Sequence, residues 1–588
     1  MHDIKIVGGT IVDGSGGTPY RADVAIDGDR IVAIGSDLGP ARQLIDAHGR
    51  HVTPGFVDIH THYDGQVMWD QRLVPSTDHG VTTVIMGNCA VGIAPCKVDQ
   101  RDLLVQVMAG VEDIPEAVMA EGLPWNWESF PEYLDALEAR ECDADFAAML
   151  PHGPLRVYVM GQRGADREPA SADDLAKMSA IVKEALDAGA IGFSTSRTLI
   201  HRGLDGKLAP AETASEEELM TIARAIKASG TGILEYITDF PGIPVGATAD
   251  FDLMRRFAEV SGRPLSFTLV EAPAYPGGWR EILKLVEKAN AEGVTMRGQV
   301  AARAVGISFG LDLSYHPFSF RQSYKDIAHL PLAERVAKMR EPEVRARILS
   351  EPSVHHNPFI TWLAAMTDQM FPLSDPPCYE PRAEERLSKR ATTEGASVEE
   401  LAYDALLENE GHAILYLPVA NYRTDSLDQV LEMMQHPNTV VALGDGGAHY
   451  GLICDASYPS FALTHWVRDR AGERIGLPEM VKALTSVPAT AACLLDRGLL
   501  APGYKADVNV LDLADMHLAF PEVVYDLPSG GRRMAQPASG YVATLVSGVP
   551  VRLEGERTGQ FPGRLIRGLR DAPDQPSQRS ARVPETVQ

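Results

Sequence analysis

From Pro54 to about Gly447 the chain repeats one pattern: a short apolar run, a loop, then a stretch with apolar residues at helical spacing. The runs are Phe56–His60, Thr82–Met86, Phe146–Leu150, Ala190–Ser194, Ile233–Tyr236, Leu265–Leu269, Thr295–Gln299 and Val440–Gly444. Between them, Ala172–Ala188 places Leu175, Met178, Ile181, Val182 and Leu186 on one helical face, and Ser215–Ala228 is a second such stretch. Eight strands alternating with helices predict an α/β fold, a closed parallel (β/α)8 TIM-like barrel. In such barrels the chemistry sits at the carboxyl ends of the strands. That rule directs attention to His60, His62, Cys89, His152, Arg197 and Asp445.

The pattern differs at the two ends. Asp3 to Val12 alternates and then turns at Asp13-Gly14-Ser15-Gly16-Gly17. Val24-Ala25-Ile26 and Ile31-Val32-Ala33-Ile34 flank Asp27-Gly28-Asp29, a hairpin signal. Asp507 to Asp512, Tyr541 to Val546 and Pro550 to Leu553 are short strands at the far end. None has an obvious partner nearby. Joined, they predict a small β-sandwich built from both termini, a reading that rests in part on the resemblance given below.

The interval from about 310 to 409 is too long for a loop and is rich in Pro, charge and aromatics. It is expected to be a mostly helical insertion near the barrel mouth, serving either as a lid over the substrate or as a solvated oligomer contact. The expected organisation is therefore 1–53 and 491–570 for the sandwich, 54–490 for the barrel, and a flexible polar tail over 571–588.

Composition narrows the partners. Of 588 residues, 45% are apolar and 23% charged, an ordinary globular balance. The net charge of −26 argues against nucleic acid or an anionic membrane as partner. Six cysteines without a C-x-x-C spacing do not form a disulfide scaffold. Met1-His2-Asp3-Ile4-Lys5 has no signal-peptide character, and no apolar run is long enough to span a bilayer. A cytoplasmic protein is expected. A homo-oligomer remains open.

His60-Thr61-His62 supplies candidate chemistry. Two imidazoles one residue apart at a strand end can share a metal ion, or can be two surface histidines. Ser196-Arg197-Thr198 and His201-Arg202 follow the fourth strand. Arg197 suits a substrate carboxylate but serves equally as a partner for a loop acid. His152 ends the third strand, and His449 lies four residues beyond Asp445; either can touch substrate or orient a catalytic group. His355-His356, in the insertion, is read as surface.

With these residues placed, the chain resembles the amidohydrolase superfamily, and within it the N-acyl-D-amino-acid deacylases. The resemblance rests on Gly8-Gly9-Thr10-Ile11-Val12-Asp13-Gly14, Val52 to His62, Gly80-Val81-Thr82-Thr83-Val84 with Gly87-Asn88-Cys89, and Gly192-Phe193-Ser194-Thr195. It continues in Gly444-Asp445-Gly446 and Gly498 to Asp507. It implies a metal-dependent barrel that hydrolyses the amide of an N-acyl amino acid, typically of D configuration, through metal-activated water. By match, His60, His62, Cys89 and Asp445 hold metal, and Asp445 is also the general acid and base.

The match has a gap. Relatives carry a metal histidine at the ends of the fifth and sixth strands. Here those ends read Ile233-Leu234-Glu235-Tyr236-Ile237-Thr238-Asp239 and Leu265-Ser266-Phe267-Thr268-Leu269-Val270-Glu271. One Zn²⁺ rather than two is therefore expected, with Glu235 available as an oxygen ligand or a hydrogen-bonding group. Two alternatives stand beside the deacylase. The altered strand ends could serve another amide, a lactam or an ester. A barrel that had lost its metal would be a binding protein.

Overall fold

A computed structural model describes residues 1–239, 247–272, 275–353 and 358–574. His355-His356 and the end of the tail, 575–588, lie outside the described residues. All eight expected barrel strands form. The N-terminal strands are β1 (His2–Ile11), β2 (Tyr20–Asp27), β3 (Arg30–Gly35), β4 (Ala41–Asp46) and β5 (His51–Pro54). The barrel follows as β6 (Phe56–Asp58), β7 (Val81–Met86), β8 (Asp145–Pro151), β9 (Gly192–Arg197), β10 (Ile233–Thr238), β11 (Leu265–Thr268) and β12 (Met296–Val300). β13 (Val305–Phe309), β14 (Phe371–Pro372) and β15 (Leu415–Ala420) belong to the insertion, and β16 (Thr439–Val441) completes the barrel.

The barrel strands pair in parallel in the order β16-β12-β11-β10-β9-β8-β7-β6. β6 and β16 share no ladder. The seam between them is bridged just beyond the strand ends, where Asp445 N–H donates to His60 O at 3.1 Å and His62 N–H to Gly446 O at 2.8 Å. Val57, Ile59, Ile85, Met149, Ile191, Ile233 and Val440 pack into one buried cluster. Helices coat the outside. Ala172–Asp187 and Glu216–Ser229 each start at a serine whose side chain accepts the N–H of the third helical residue, Ser171 and Ser215.

Both termini build one nine-stranded sheet, as expected. β17 (Val508–Leu511) pairs antiparallel with β5 and continues the sheet from the C-terminal side. β1 serves two strands along one edge, β4 over His2–Val7 and β5 over Thr10–Ile11. That fork, at the Gly8-Gly9 irregularity, lets the sheet fold over a core of Ile4, Ile6, Val24, Val52, Val508 and Leu545.

Three regions depart from the expected organisation. The hairpin of β18 (Glu522–Leu527) and β19 (Gly531–Ala535) leaves the sandwich for the barrel. There Met534 N–H reaches Tyr450 O at 2.7 Å, and Arg533 Nη1 donates to Val74 O at 2.9 Å. The stretch around residues 563–566 runs along the barrel instead, with Gly563 N–H on Cys142 O and Ile566 N–H on Phe146 O, both at 2.8 Å. The insertion is wider than expected. It hangs from a three-stranded antiparallel sheet, β13-β15-β14, and has its own core around Phe309, Phe318, Met339, Tyr403 and Leu417. Among the described residues, no helix is long and apolar enough to cross a membrane.

Candidate metal centre

The β6 ladder ends at Asp58, so His60 and His62 sit in the loop immediately beyond it. Asp58 starts that turn: its Oδ1 accepts the His60 N–H at 3.1 Å. Burial pushes the Asp58 carboxyl up to about 8. The two imidazoles meet edge to face with centroids 5.5 Å apart. His60 Nδ1 donates to Gln299 Oε1 at 2.7 Å, and Gln299 Nε2 donates to Ser266 Oγ at 2.8 Å. This chain fixes the proton on Nδ1 and leaves the Nε2 lone pair free.

Cys89 reaches the same point from β7. Gly87 must be glycine, because at φ +84 a Cβ would lie 2.4 Å from Met149 O. Asn88 Nδ2 donates to the carbonyls of Thr61 and Ile85. Cys89 and Ala90 both adopt left-handed backbone, φ 57 and 61. Such strain in non-glycine residues costs on the order of 1 kcal/mol or more each and clusters at functional sites. It brings the Cys89 sulfur to 3.3 Å from His60 Nε2. From the far side of the seam, Asp445, also left-handed at φ 49, places Oδ1 3.4 Å from His60 Nε2 and 3.7 Å from His62 Nε2.

The ligand atoms of His60, His62 and Cys89 lie within 4.8 Å of one another, all buried. Neither ring nitrogen of His62 has a hydrogen-bond partner, and Glu112 Oε2 and Glu235 Oε1 are equally unsatisfied. Buried polar atoms are normally paired, so an orphaned imidazole beside a thiol and carboxylates fits a cation. Electrostatics agree. Burial alone would lower His62; the carboxylates of Glu112 and Asp445 outweigh it and raise it to about 9. Burial, reinforced by Glu235, Glu112 and Asp445, pushes the Cys89 thiol well up. The Asp445 carboxylate is held well below its ordinary range, because the nearby imidazoles outweigh its burial.

Two site residues, Glu112 and Gln299, are not among the candidates named from the sequence. Glu112 follows the helix Arg101–Val111 and is buried, with Oε2 3.5 Å from His62 Nε2 and 3.4 Å from His449 Nε2. Gln299 ends β12's candidate run, where the strand-end rule would have found it. Glu235 is a hydrogen-bonding group: its Oε2 accepts the Cys89 N–H at 3.2 Å, and burial raises its carboxyl to about 8. At the sixth strand end Thr268, Leu269 and Val270 face the cavity where a ligand would stand.

A cavity of about 470 Å³ opens above this cluster. His201 and His449 line it. Arg197 and His152, expected near substrate, do not. Arg197 Nη1 donates to Ala214 O at 2.7 Å. His152 is buried behind the barrel wall, its ring nitrogens on Thr195 Oγ1 and Glu218 Oε1 at 2.9 and 2.8 Å. The insertion contributes Ile307, Tyr315, Ile360, Leu363 and Val419 to the cavity wall.

Comparison with known proteins identifies the family. The chain is 27% identical to D-aminoacylase of Alcaligenes xylosoxydans xylosoxydans over 569 residues, covering 96% of this chain and 97% of that one. It is 28% identical to N-acyl-D-glutamate deacylase of the same organism over 582 residues, 97% of each chain. The crystal structure of N-acyl-D-glutamate deacylase from Bordetella bronchiseptica, in complex with zinc and a phosphonate inhibitor, superposes with a TM-score of 0.63 at 23% identity, covering 96% of this chain and 99% of that one. The model of the Amidohydrolase family matches residues 43–552. This chain therefore belongs to the amidohydrolase family.

Proposed function

We propose that the protein hydrolyses the C–N bond of a small-molecule amide, using one Zn²⁺ that His60, His62 and Cys89 would hold, with Asp445 as a weak fourth ligand whose place water can take. The convergence of three buried ligand atoms within 4.8 Å, at the floor of a cavity, carries this reading. A thiolate with two imidazoles selects zinc over the oxygen-loving cations. The zinc in the Bordetella relative supports the same choice. When bound, Zn²⁺ makes water nucleophilic at neutral pH and polarises the scissile carbonyl.

The chain's own residues do the rest. Gln299 holds the His60 ring so that Nε2 faces the cluster. Asp445, whose side chain keeps 19% exposure toward the cavity, takes the proton of the attacking water and delivers it to the departing nitrogen. Glu112 Oε2 stands between His62 and His449, 3.5 and 3.4 Å from their Nε2 atoms. The relatives' names make an N-acyl-D-amino acid the first amide to offer.

Metal analysis of purified protein beside two variants tests the reading. About one zinc per chain is expected, lost in His60→Ala. Asp445→Asn should keep most of its zinc while kcat/KM falls by about 10³. Two ions per chain would overturn the single-metal reading, and none after zinc is supplied would return the molecule to the binding-protein class.

A further inference from the structure

The cavity wall is aliphatic and aromatic, with Ile200, Ile237, Leu269, Trp279, Ile307 and Leu363 among its residues. Among the described residues no Lys or Arg lines it. The internal segments outside the description, 240–246, 273–274 and 354–357, contain neither residue type in sequence. Carboxylates do line it: Glu112, Asp113, Asp239, Asp445 and Asp455. Three arginines that adjoin lining residues or pair with them are committed elsewhere. Arg303 donates to Asp455 Oδ1 at 2.8 and 2.6 Å, Arg197 to Ala214 O, and Arg280 Nε to Glu432 at 2.8 Å.

An N-acyl amino acid brings a carboxylate into this space. Burying an anion is costly unless a cation or several donors meet it, and neighbouring carboxylates add repulsion. A bound Zn²⁺ would have its charge balanced by Cys89 as thiolate and Asp445 as carboxylate.

We infer that the substrate is an amide without a free carboxylate: an apolar acyl chain joined to an uncharged amine. This rests on the amide-hydrolysis reading and changes the amine half of the substrate that the relatives suggest. The C–N bond breaks as water gives its hydroxyl to the acyl carbon and its other proton to the nitrogen, leaving a carboxylic acid and an amine. The same lack of cations then favours release of the acid product.

A matched pair isolates the carboxylate: N-octanoyl-leucine, as each enantiomer, and N-octanoyl-3-methylbutylamine, which differs only in lacking that group. Zinc-loaded full-length enzyme is assayed for kcat/KM. Zinc-loaded Asp445→Asn, slow enough to spare the ligands, is titrated with each by calorimetry. Removing one lining carboxylate in that variant biases the titration against the inference. The neutral amide should be favoured by about 100-fold in both measurements. Comparable values for either leucine enantiomer overturn the inference, as does a failure of all three to bind. A binding preference without turnover of any compound upholds the substrate class and overturns the amide-hydrolysis reading instead.

Discussion

At the scale of single residues, the site depends on neighbours that hold the ligands. Gln299 sets the tautomer of His60 from two strands away. Gln299→Leu should leave the fold intact but weaken zinc affinity by about 10–100-fold, read by competition with a chromophoric chelator. Protons compete for the same atoms. With His62 raised to about 9 and the Cys89 thiol also raised, both ligands are protonated at neutral pH in the metal-free protein. Metal must displace both protons, so affinity falls as pH falls, and it rises most steeply below about 9, where His62 as well as Cys89 must lose a proton. The same competition should show up to about 100-fold per pH unit between about 6 and 8; a flat profile would contradict the ligand assignment. His60, His62, Cys89 and Asp445 were legible because each stands in a local motif at a strand end. Glu112 was not, since a lone glutamate after an amphipathic helix has the same sequence appearance whether it faces solvent or a metal.

At the scale of elements, periodicity located all eight barrel strands, because apolar runs of buried parallel strands separated by amphipathic helices leave little ambiguity. What it could not locate was elements defined by tertiary contact. β14, only Phe371–Pro372, and the hairpin of β18 and β19 have patterns too short or too exposed to announce a partner. The opposite end of the barrel shows how firmly distant elements are tied. Asp145, which opens β8, is buried against Lys505 Nζ at 2.8 Å and Arg497 Nη1 at 3.0 Å, and Arg497 also donates to Thr83 Oγ1. Those two cations outweigh burial and hold the Asp145 carboxyl low. Asp145→Ala would take the 2.8 Å partner from Lys505 and leave Arg497 to Asp496 and Asp507, at a cost of about 3 kcal/mol. A clear loss of thermal stability is expected, with zinc content per folded chain unchanged.

At the scale of the whole molecule, the ends of the chain complete what the middle begins. The last strands lie on the first ones in a single sheet, and Ile566 packs beside Ile85 and Met149. The net charge of −26 lies over a molecule whose cavity is itself lined by acids, so the long-range field and the local one both disfavour anionic ligands. The barrel is continuous except between β6 and β16, where two hydrogen bonds from the ligand-bearing loops span the gap. An ion gripping His60 and His62 on one side and Asp445 on the other is a cross-link across that gap, enclosing nearly the whole barrel in one covalent-plus-coordinate ring. Like any long-range cross-link, it restricts the opened chain more than the closed one. Stripping the metal should therefore lower the melting temperature, and should shorten survival in a protease digest more than activity alone would suggest. The ion that performs the chemistry would then also set how long the polypeptide lasts.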